Sequence, residues 1–287
     1  KLLAGLVSKD GVLLLGPESG EFWVNDGISP FSRVRGLSLD RGIGSAYSLS
    51  KWGDEWFWID GKRTPIRATI QGAKEITNPY LHDFQRLISV EDAICEVMVV
   101  DGKPVWVLNF PLSNRTFVYN IAQDDWSEWG QWDTENGVYK RFIGNAYAYA
   151  KAWGFHVVGD YRTGMLYKLT RDTHTFNSDV IRSVRRTGYI THGTSNYKRA
   201  KRVRLRLKRS VANSSVSAPV MLMRWREKNG PWSNTRRVSL GQVGQHDIWV
   251  ELTQLGMYRS RQYEFVHSDN TDWILADGKE DIDIMTR

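Results

Sequence analysis

Disulfide chemistry is closed to this chain. Its 287 residues include one cysteine, Cys95, so neither an internal bridge nor a cysteine-rich zinc cluster can form. Cys95 lies in "AICEVMVV", an apolar strand-like run, and reads as a buried, inert thiol. A fold built without oxidative stapling suits assembly in a reducing cytosol. Long apolar runs are also missing. No segment approaches the roughly 18–20 residues that span a bilayer, and no secretory signal stands at the start, so no membrane insertion by this chain is expected. The chain opens on Lys1 rather than Met, as a piece of a longer polypeptide would. No Walker loop, GxSxG, HExxH or zinc-ligand spacing occurs. "GIGSAYS" (Gly42–Ser48) is glycine-rich but has no Lys-Ser/Thr after it and reads as a loop. No cofactor and no metal are expected.

One absence is local. From Ile181 to Arg226 there is no Asp or Glu, against thirteen Lys and Arg. The rest of the chain carries 26 basic and 32 acidic residues, so the formal net charge of +7 sums a strongly basic segment and a mildly acidic body. Within that segment "YKRAKRVRLRLKRS" alternates strictly. Val203, Leu205 and Leu207 share one side of a strand, and Arg202, Arg204, Arg206 and Lys208 the other. The expectation is a half-buried strand with a fully cationic exposed face. Two partners suit such a face: DNA phosphates, met without base specificity, or an acidic surface of another subunit. Arg185 and Arg186 belong to the same basic group. Of the aromatics among these residues only Tyr189 and Tyr197 stand out, too few for single-strand stacking.

Aromatic residues are plentiful, with 13 Trp, 12 Tyr and 10 Phe. Each buried ring removes about 150–250 Å² from water, roughly 4–6 kcal/mol at most. They recur with a rhythm. Gly11, Gly53, Gly102 and Gly154 open "GVLLLG", "GDEWFWID", "GKPVWVLN" and "GFHVVGD", at intervals of 42, 49 and 52 residues. Each is followed by a turn and a second strand, in "GEFWVND", "RTPIRATI", "NRTFVYNI" and "GMLYKLT". A meander repeated every 40–50 residues points to propeller blades, whose two apolar faces are buried by stacking. "VDGK" (Val100–Lys103) and "IDGK" (Ile59–Lys62) are hairpin turns by composition. Asn78–Ala93 interrupts the rhythm with apolar residues at Leu81, Phe84, Leu87 and Ile88, one or two amphipathic helical turns. His82 and Asp83 beside them read as surface or capping residues.

"FVYNIAQDDWSEWGQW" (Phe117–Trp132) places Trp126, Trp129 and Trp132 after an apolar strand that carries Tyr119 and stops at a polar turn, and these four are the candidate blade-packing aromatics. Coplanar on an open surface they would be a sugar platform; between sheets they would be wedge packing, the favoured reading. A glycosidase needs two carboxylates flanking a sugar, or a Tyr nucleophile with an arginine cluster. The candidates Asp54, Glu55, Asp124, Asp125 and Glu128 lie in turns, where carboxylates usually cap backbone N–H groups. Beyond Asp179, five or six short strands ("VMLMRWRE", "TRRVSLG", "DIWVELTQLG" and "RQYEFVHS" among them) suggest a β-sandwich.

Three stretches, "SVEDAICEVMVVDGKPVWVLNFPLSNRTFVYNIAQDDWSEW", "NAYAYAKAWGFHVVGDYRTGMLYKLTRDTHTFNSDVIRSVRRTGYI" and "VMLMRWREKNGPWSNTRRVSLGQVGQHDIWVELTQLGMYRSRQYEFVHSD", resemble the packaged-DNA stabilisation, or tail-accessory (nozzle), proteins of short-tailed bacteriophages. The matching residues are Asp92-Ala93, then Thr116, Val118 and Tyr119, with Asn120 where that family usually has Asp, then Trp126. The likeness covers about residues 75–287. "REKNGPWS" stands where the family carries an Asp-Gly-Gly hairpin, and lacks its Ser and Asp. The resemblance implies a non-enzymatic virion protein, assembled in the host cytoplasm into a ring of typically six copies. Its implied partners are the portal–adaptor proteins, tail fibres or a needle, and the packaged double-stranded DNA in the channel. The expected architecture is all-β: propeller-like repeated blades over residues 1–178 and a β-sandwich-like domain over 179–287. A carbohydrate-binding or glycan-degrading propeller of the tail is the alternative.

Overall fold

Runs such as Trp56-Phe57-Trp58-Ile59 are apolar at every position, as strands buried on both faces must be. In the computed structural model each such run is the second strand of a small meander. The structure describes all residues except 10, 28–30, 171–172, 177–178, 210–215, 229, 243–244, 246 and 286–287, and the side chains of 35–37 and 209. The chain divides into two compact units, Lys1–Thr170 and Arg171–Arg287. The small-residue loop expected after Arg209 and the residue on which the expected domain boundary fell lie largely outside the described residues.

Among the described residues of the first unit, four antiparallel sheets follow one another in chain order. The first comprises β1 (Ala4–Val7), β2 (Val12–Leu15), β3 (Gly20–Val24) and β4 (Ser32–Leu39). The second comprises β5 (Ser50–Trp52), β6 (Glu55–Ile59), β7 (Pro65–Thr69) and β8 (Gly72–Glu75). The third has β9 (Ile94–Val100), β10 (Lys103–Phe110), β11 (Arg115–Asn120), β12 (Asp125–Asp133) and β13 (Val138–Arg141). The fourth has β14 (Gly144–Ala150), β15 (Phe155–Asp160) and β16 (Leu166–Leu169). In every sheet, neighbours in sequence are neighbours in space.

Residue parity decides which neighbour each side chain meets. Trp56 and Trp58 point to the first sheet and pack with Leu13, Leu15 and Phe22. Phe57 and Ile59 point to the third, against Trp106, Leu108, Phe117 and Tyr119. The opposite face of the third sheet (Met98, Val105, Val107, Val118) packs on Val158 and Tyr147 of the fourth. Stacked meanders that share their faces in this way are propeller-type blades.

The turns differ in detail from their sequence signals. Asp101 and Gly102 both have positive φ, 56° and 70°, the tight hairpin that "VDGK" demands. "IDGK" forms a longer loop instead: Asp60 Oδ1 accepts from the N–H groups of Lys62 and Thr64, both at 2.8 Å, and Arg63 takes the left-handed conformation. Gly53, Gly102 and Gly154 are left-handed turn residues. Gly11 is required for a different reason, because a Cβ there would lie 2.1 Å from the Trp23 carbonyl oxygen. Of the one or two helical turns expected, one forms, α1 (Leu81–Gln85). Phe84 and Leu87 are buried, whereas Leu81 and Ile88 face solvent.

Cys95 is buried on β9. Burial pushes its thiol up to about 12, so the nucleophilic thiolate is scarce near neutrality. A thiol reagent at pH 8 is therefore expected to leave the native protein unlabelled and to react within minutes once urea unfolds it. Rapid labelling of the native protein would contradict this burial.

The second unit carries β17 (Thr175–Phe176), β18 (Asp179–Val180), β19 (Ser183–Arg186), β20 (Lys198–Arg209), β21 (Val220–Glu227), β22 (Arg236–Ser239), β23 (Asp247–Thr253), β24 (Met257–Tyr258), β25 (Arg261–His267) and β26 (Trp273–Ile284). β17 and β18 pair with each other. One sheet runs β19-β25-β21-β22, and the other places β20 between β26 on one side and β23 and β24 on the other. Val203, Leu205 and Leu207 of β20 face Met221, Met223, Val238, Tyr263 and Phe265 across a shared core. This is a sandwich.

Candidate functional site

The two outer faces of the sandwich carry most of the basic segment, in different ways. On the β20 face each expected cation meets an acid from a flanking strand. Arg202 pairs with Asp281 and, at 3.5 Å, with Glu251. Arg204 reaches Asp281 at 3.5 Å. Arg206 grips Asp247 through Nε and Nη2, at 2.9 and 2.5 Å. Lys208 stands opposite Asp247 in register, and Lys201 pairs with Asp283 at 2.8 Å. The fully cationic face is thus corrected to a charge-balanced one. Its acids lie four apart on β23 (Asp247 and Glu251) and two apart on β26 (Asp281 and Asp283), spacings that put them beside the basic side chains of β20. The guanidiniums hold the Asp247 and Asp281 carboxyls below the usual carboxylate range through direct hydrogen bonds, against a smaller opposing effect of burial.

The β19-β25-β21-β22 face is the cationic one. Register places Arg186 opposite Glu264 and Glu264 opposite Arg224. Both arginines donate through Nε to the Glu264 carboxylate, each at 2.5 Å. Arg226 donates through Nε to Gln262 Oε1 at 2.9 Å, and Gln262 in turn donates to the Thr187 carbonyl at 2.8 Å. Glu264 is 1% exposed. Burial pushes its carboxyl up, but the Arg224 and Arg186 guanidiniums outweigh that and hold it below the ordinary value.

Trp232 lies across these arginines. The guanidinium carbons of Arg226, Arg224 and Arg186 stand 4.6, 4.7 and 5.8 Å from its ring centroid. Ser233 fixes the indole, its N–H donating to the Trp225 carbonyl at 2.7 Å and its Oγ accepting from the Trp225 N–H at 3.0 Å. Each guanidinium therefore donates through Nε to the sheet and lies beside an aromatic plate. Arg237 shares this face on β22, in register with Leu222, and Arg185 is exposed on the edge strand β19. Arg186 was singled out from sequence, but Trp232 was missed, for it lies outside the acid-free run. The available signal was Trp-Ser after a turn, five residues beyond the strand that carries Arg224 and Arg226.

The tryptophans of β12 divide between faces. Trp126 is buried and donates to the Thr77 carbonyl at 3.0 Å. Its ring meets Tyr119 at 5.1 Å and Phe84 edge-on at 5.7 Å. Trp129 points the other way, edge-on to Phe142 at 5.3 Å, and Trp132 meets Tyr139 at 4.8 Å. Opposed faces cannot form one platform. Of the candidate carboxylates expected in turns, Glu55, Asp125 and Glu128 lie on strands instead, and all but Asp54 are engaged. Glu55 is held by two nitrogens of Arg67, at 2.7 and 2.6 Å. Arg115 joins Glu128 and Asp83. Asp124 accepts from Tyr119 Oη at 2.5 Å, Asp125 accepts from the Trp126 N–H, and Asp54 is exposed in its hairpin. Among the described residues no group of three or more His, Cys, Asp and Glu is placed to hold a metal ion.

No family model matches the chain, and no curated protein matches it. Among solved structures, a glycoside hydrolase family 43 arabinoxylan arabinofuranohydrolase from Bacillus subtilis, in complex with cellotetraose, is similar at 10% identity and a TM-score of 0.26. The match covers 93% of this chain and 66% of that one, just under two thirds of its length. A second structure, described as a glycoside hydrolase, is similar at 8% identity and a TM-score of 0.27, over 96% of this chain and 82% of that one. This corrects the expectation of a chain without catalysis, since both similar structures are of glycoside hydrolases. At these scores the likeness assigns no residue of this chain a role.

Proposed function

We propose that the chain is a structural component of a short phage tail, one subunit of a ring that continues the portal channel and helps retain packaged DNA. One observation carries the reading: the residues behind the resemblance are framework residues. Asp92 Oδ2 accepts from the Leu112 N–H at 2.7 Å, and Ala93 is fully buried. Thr116 Oγ1 donates to Asn109 at 2.6 Å and accepts from the Phe142 N–H at 3.0 Å. Asn120, where that family has Asp, caps the Ala122 and Gln123 N–H groups as an aspartate would. Tyr258, Tyr263 and Phe265 are buried in the sandwich. A series of motifs that fixes turns and cores preserves a shape.

The test is assembly. Purified protein is expected to form closed rings in electron micrographs, or to join isolated portal–adaptor complexes. A chain that stays monomeric at every concentration and ignores those complexes ends the proposal.

A second reading, carbohydrate binding, has its own observation. Trp153 is 74% exposed and stacks on Phe155 at 5.9 Å with planes 16° apart. Tyr149, 53% exposed, belongs to the same sheet. A glycan array and a reducing-sugar assay on the same preparation test it. Binding lost in a Trp153→Ala variant would favour this reading, and an array with no hits would dismiss it.

A further inference from the structure

The arginine cluster on Trp232 is built like a contact for one oxyanion. Three guanidiniums converge on one ring, and their Nε edges are anchored to Glu264 and Gln262. Anchoring removes the rotamer entropy that usually weakens a surface arginine. It leaves paired Nη donors at fixed spacing, the fork that suits a carboxylate. Glu264 is the acid that the described residues of β19, β25, β21 and β22 present on this face, so at least three arginines stand against one carboxylate.

Trp and Arg are the residue types most enriched at the energetic centres of protein interfaces, and here they are stacked on one another. A nucleic-acid backbone fits less well. It needs a continuous cationic track, and the β20 face of the same sandwich is neutralised by its own acids. The chain itself supplies carboxylates that the basic segment does not use, since its first unit, Lys1–Thr170, carries 20 Asp and Glu against 18 Lys and Arg.

We infer that this face is an interface between copies of the chain, in which Arg186, Arg224 and Arg226 on Trp232 receive a carboxylate from the neighbouring copy. The inference rests on the ring reading and names its contact.

Arg226→Glu is the informative substitution, because it leaves both partners of Glu264 in place. Arg237→Glu, on the same face and away from the indole, is the second variant. The assembled fraction is measured by mass photometry across protein concentration at 0.15 M and 0.6 M NaCl, with a melting curve to verify folding. Arg226→Glu is expected to weaken assembly roughly tenfold or more, Arg237→Glu to weaken it less, and high salt to weaken the wild type. A folded Arg226→Glu protein that assembles like the wild type overturns the interface while the ring reading stands. A wild type that never assembles overturns both. A fluorescent 30-base-pair duplex is titrated in parallel. Tight duplex binding lost in Arg226→Glu, with assembly unchanged, would reassign the face to phosphate.

Discussion

Phe84→Ala is expected to cost about 3–5 kcal/mol of stability, as deletion of a buried ring does, and to act on the first unit alone. Phe84 sits on the single turn α1 and is fully buried. Its ring meets Phe117 at 4.5 Å, and Phe110 and Trp126 edge-on at 5.7 Å. Those rings belong to β11, β10 and β12, tied to one another by ladder hydrogen bonds. Strands so tied cannot collapse into the space, so most of the cavity persists. The turn cannot compensate either, since five helical residues have no stability apart from what they pack against. Urea unfolding followed by tryptophan fluorescence should show an early transition in the variant. Phe84→Leu should recover much of the loss, and Leu81→Ala, exposed on the same turn, should stay within about 0.5 kcal/mol of wild type. A Phe84→Ala midpoint equal to that of wild type would mean that the turn does not plug the core.

That plug shows how much of the architecture could be read from the chain. The blades were legible because burial on both faces leaves unbroken apolar runs like "WFWI" and "VWVL", and the glycine-opened turns repeat at a nearly constant interval. The helix is at the short end of the one or two turns expected: Leu81, Phe84, Leu87 and Ile88 obey a helical period, yet the core reaches only Phe84 and Leu87. Periodicity reports which residues could share a face, not how far the neighbouring sheet extends.

The charges were harder to read, for a different reason. An acid-free stretch of sequence looks unbalanced until the strands beside it are known. β26 was not foreseen, because "WILADGKEDIDI" is rich in residues of low strand propensity. It pairs along the whole of β20 and brings Asp281 and Asp283 against the arginines from about eighty residues away. Lys198, in the same basic run, is fully buried, its Nζ donating to the carbonyls of Thr194, Asn196 and Arg259. Charge counted along the chain becomes charge on a surface only after register is set. The count pointed to β20, and register moved the excess to the opposite sheet.

Glu264→Gln is expected to destabilise the second unit by about 1–3 kcal/mol at pH 7, the range for hydrogen bonds to a charged group, because the two arginines it leaves unpaired keep access to solvent. Two guanidiniums now share that carboxylate at 2.5 Å each. A neutral amide would offer them one acceptor oxygen and leave two like charges facing each other. The effect must depend on pH with a definite sign. The folded carboxyl is held below the ordinary glutamate value of 4.5, so its contribution is complete above about pH 4.5 and is lost as pH falls through the lower folded value. Wild type and variant should therefore differ most at neutral pH and converge in acid. Urea midpoints at pH 7 and pH 3 measure the gap at both ends. A gap of equal size at the two pH values would show that the Glu264 charge contributes nothing and that the side chain matters only for its shape.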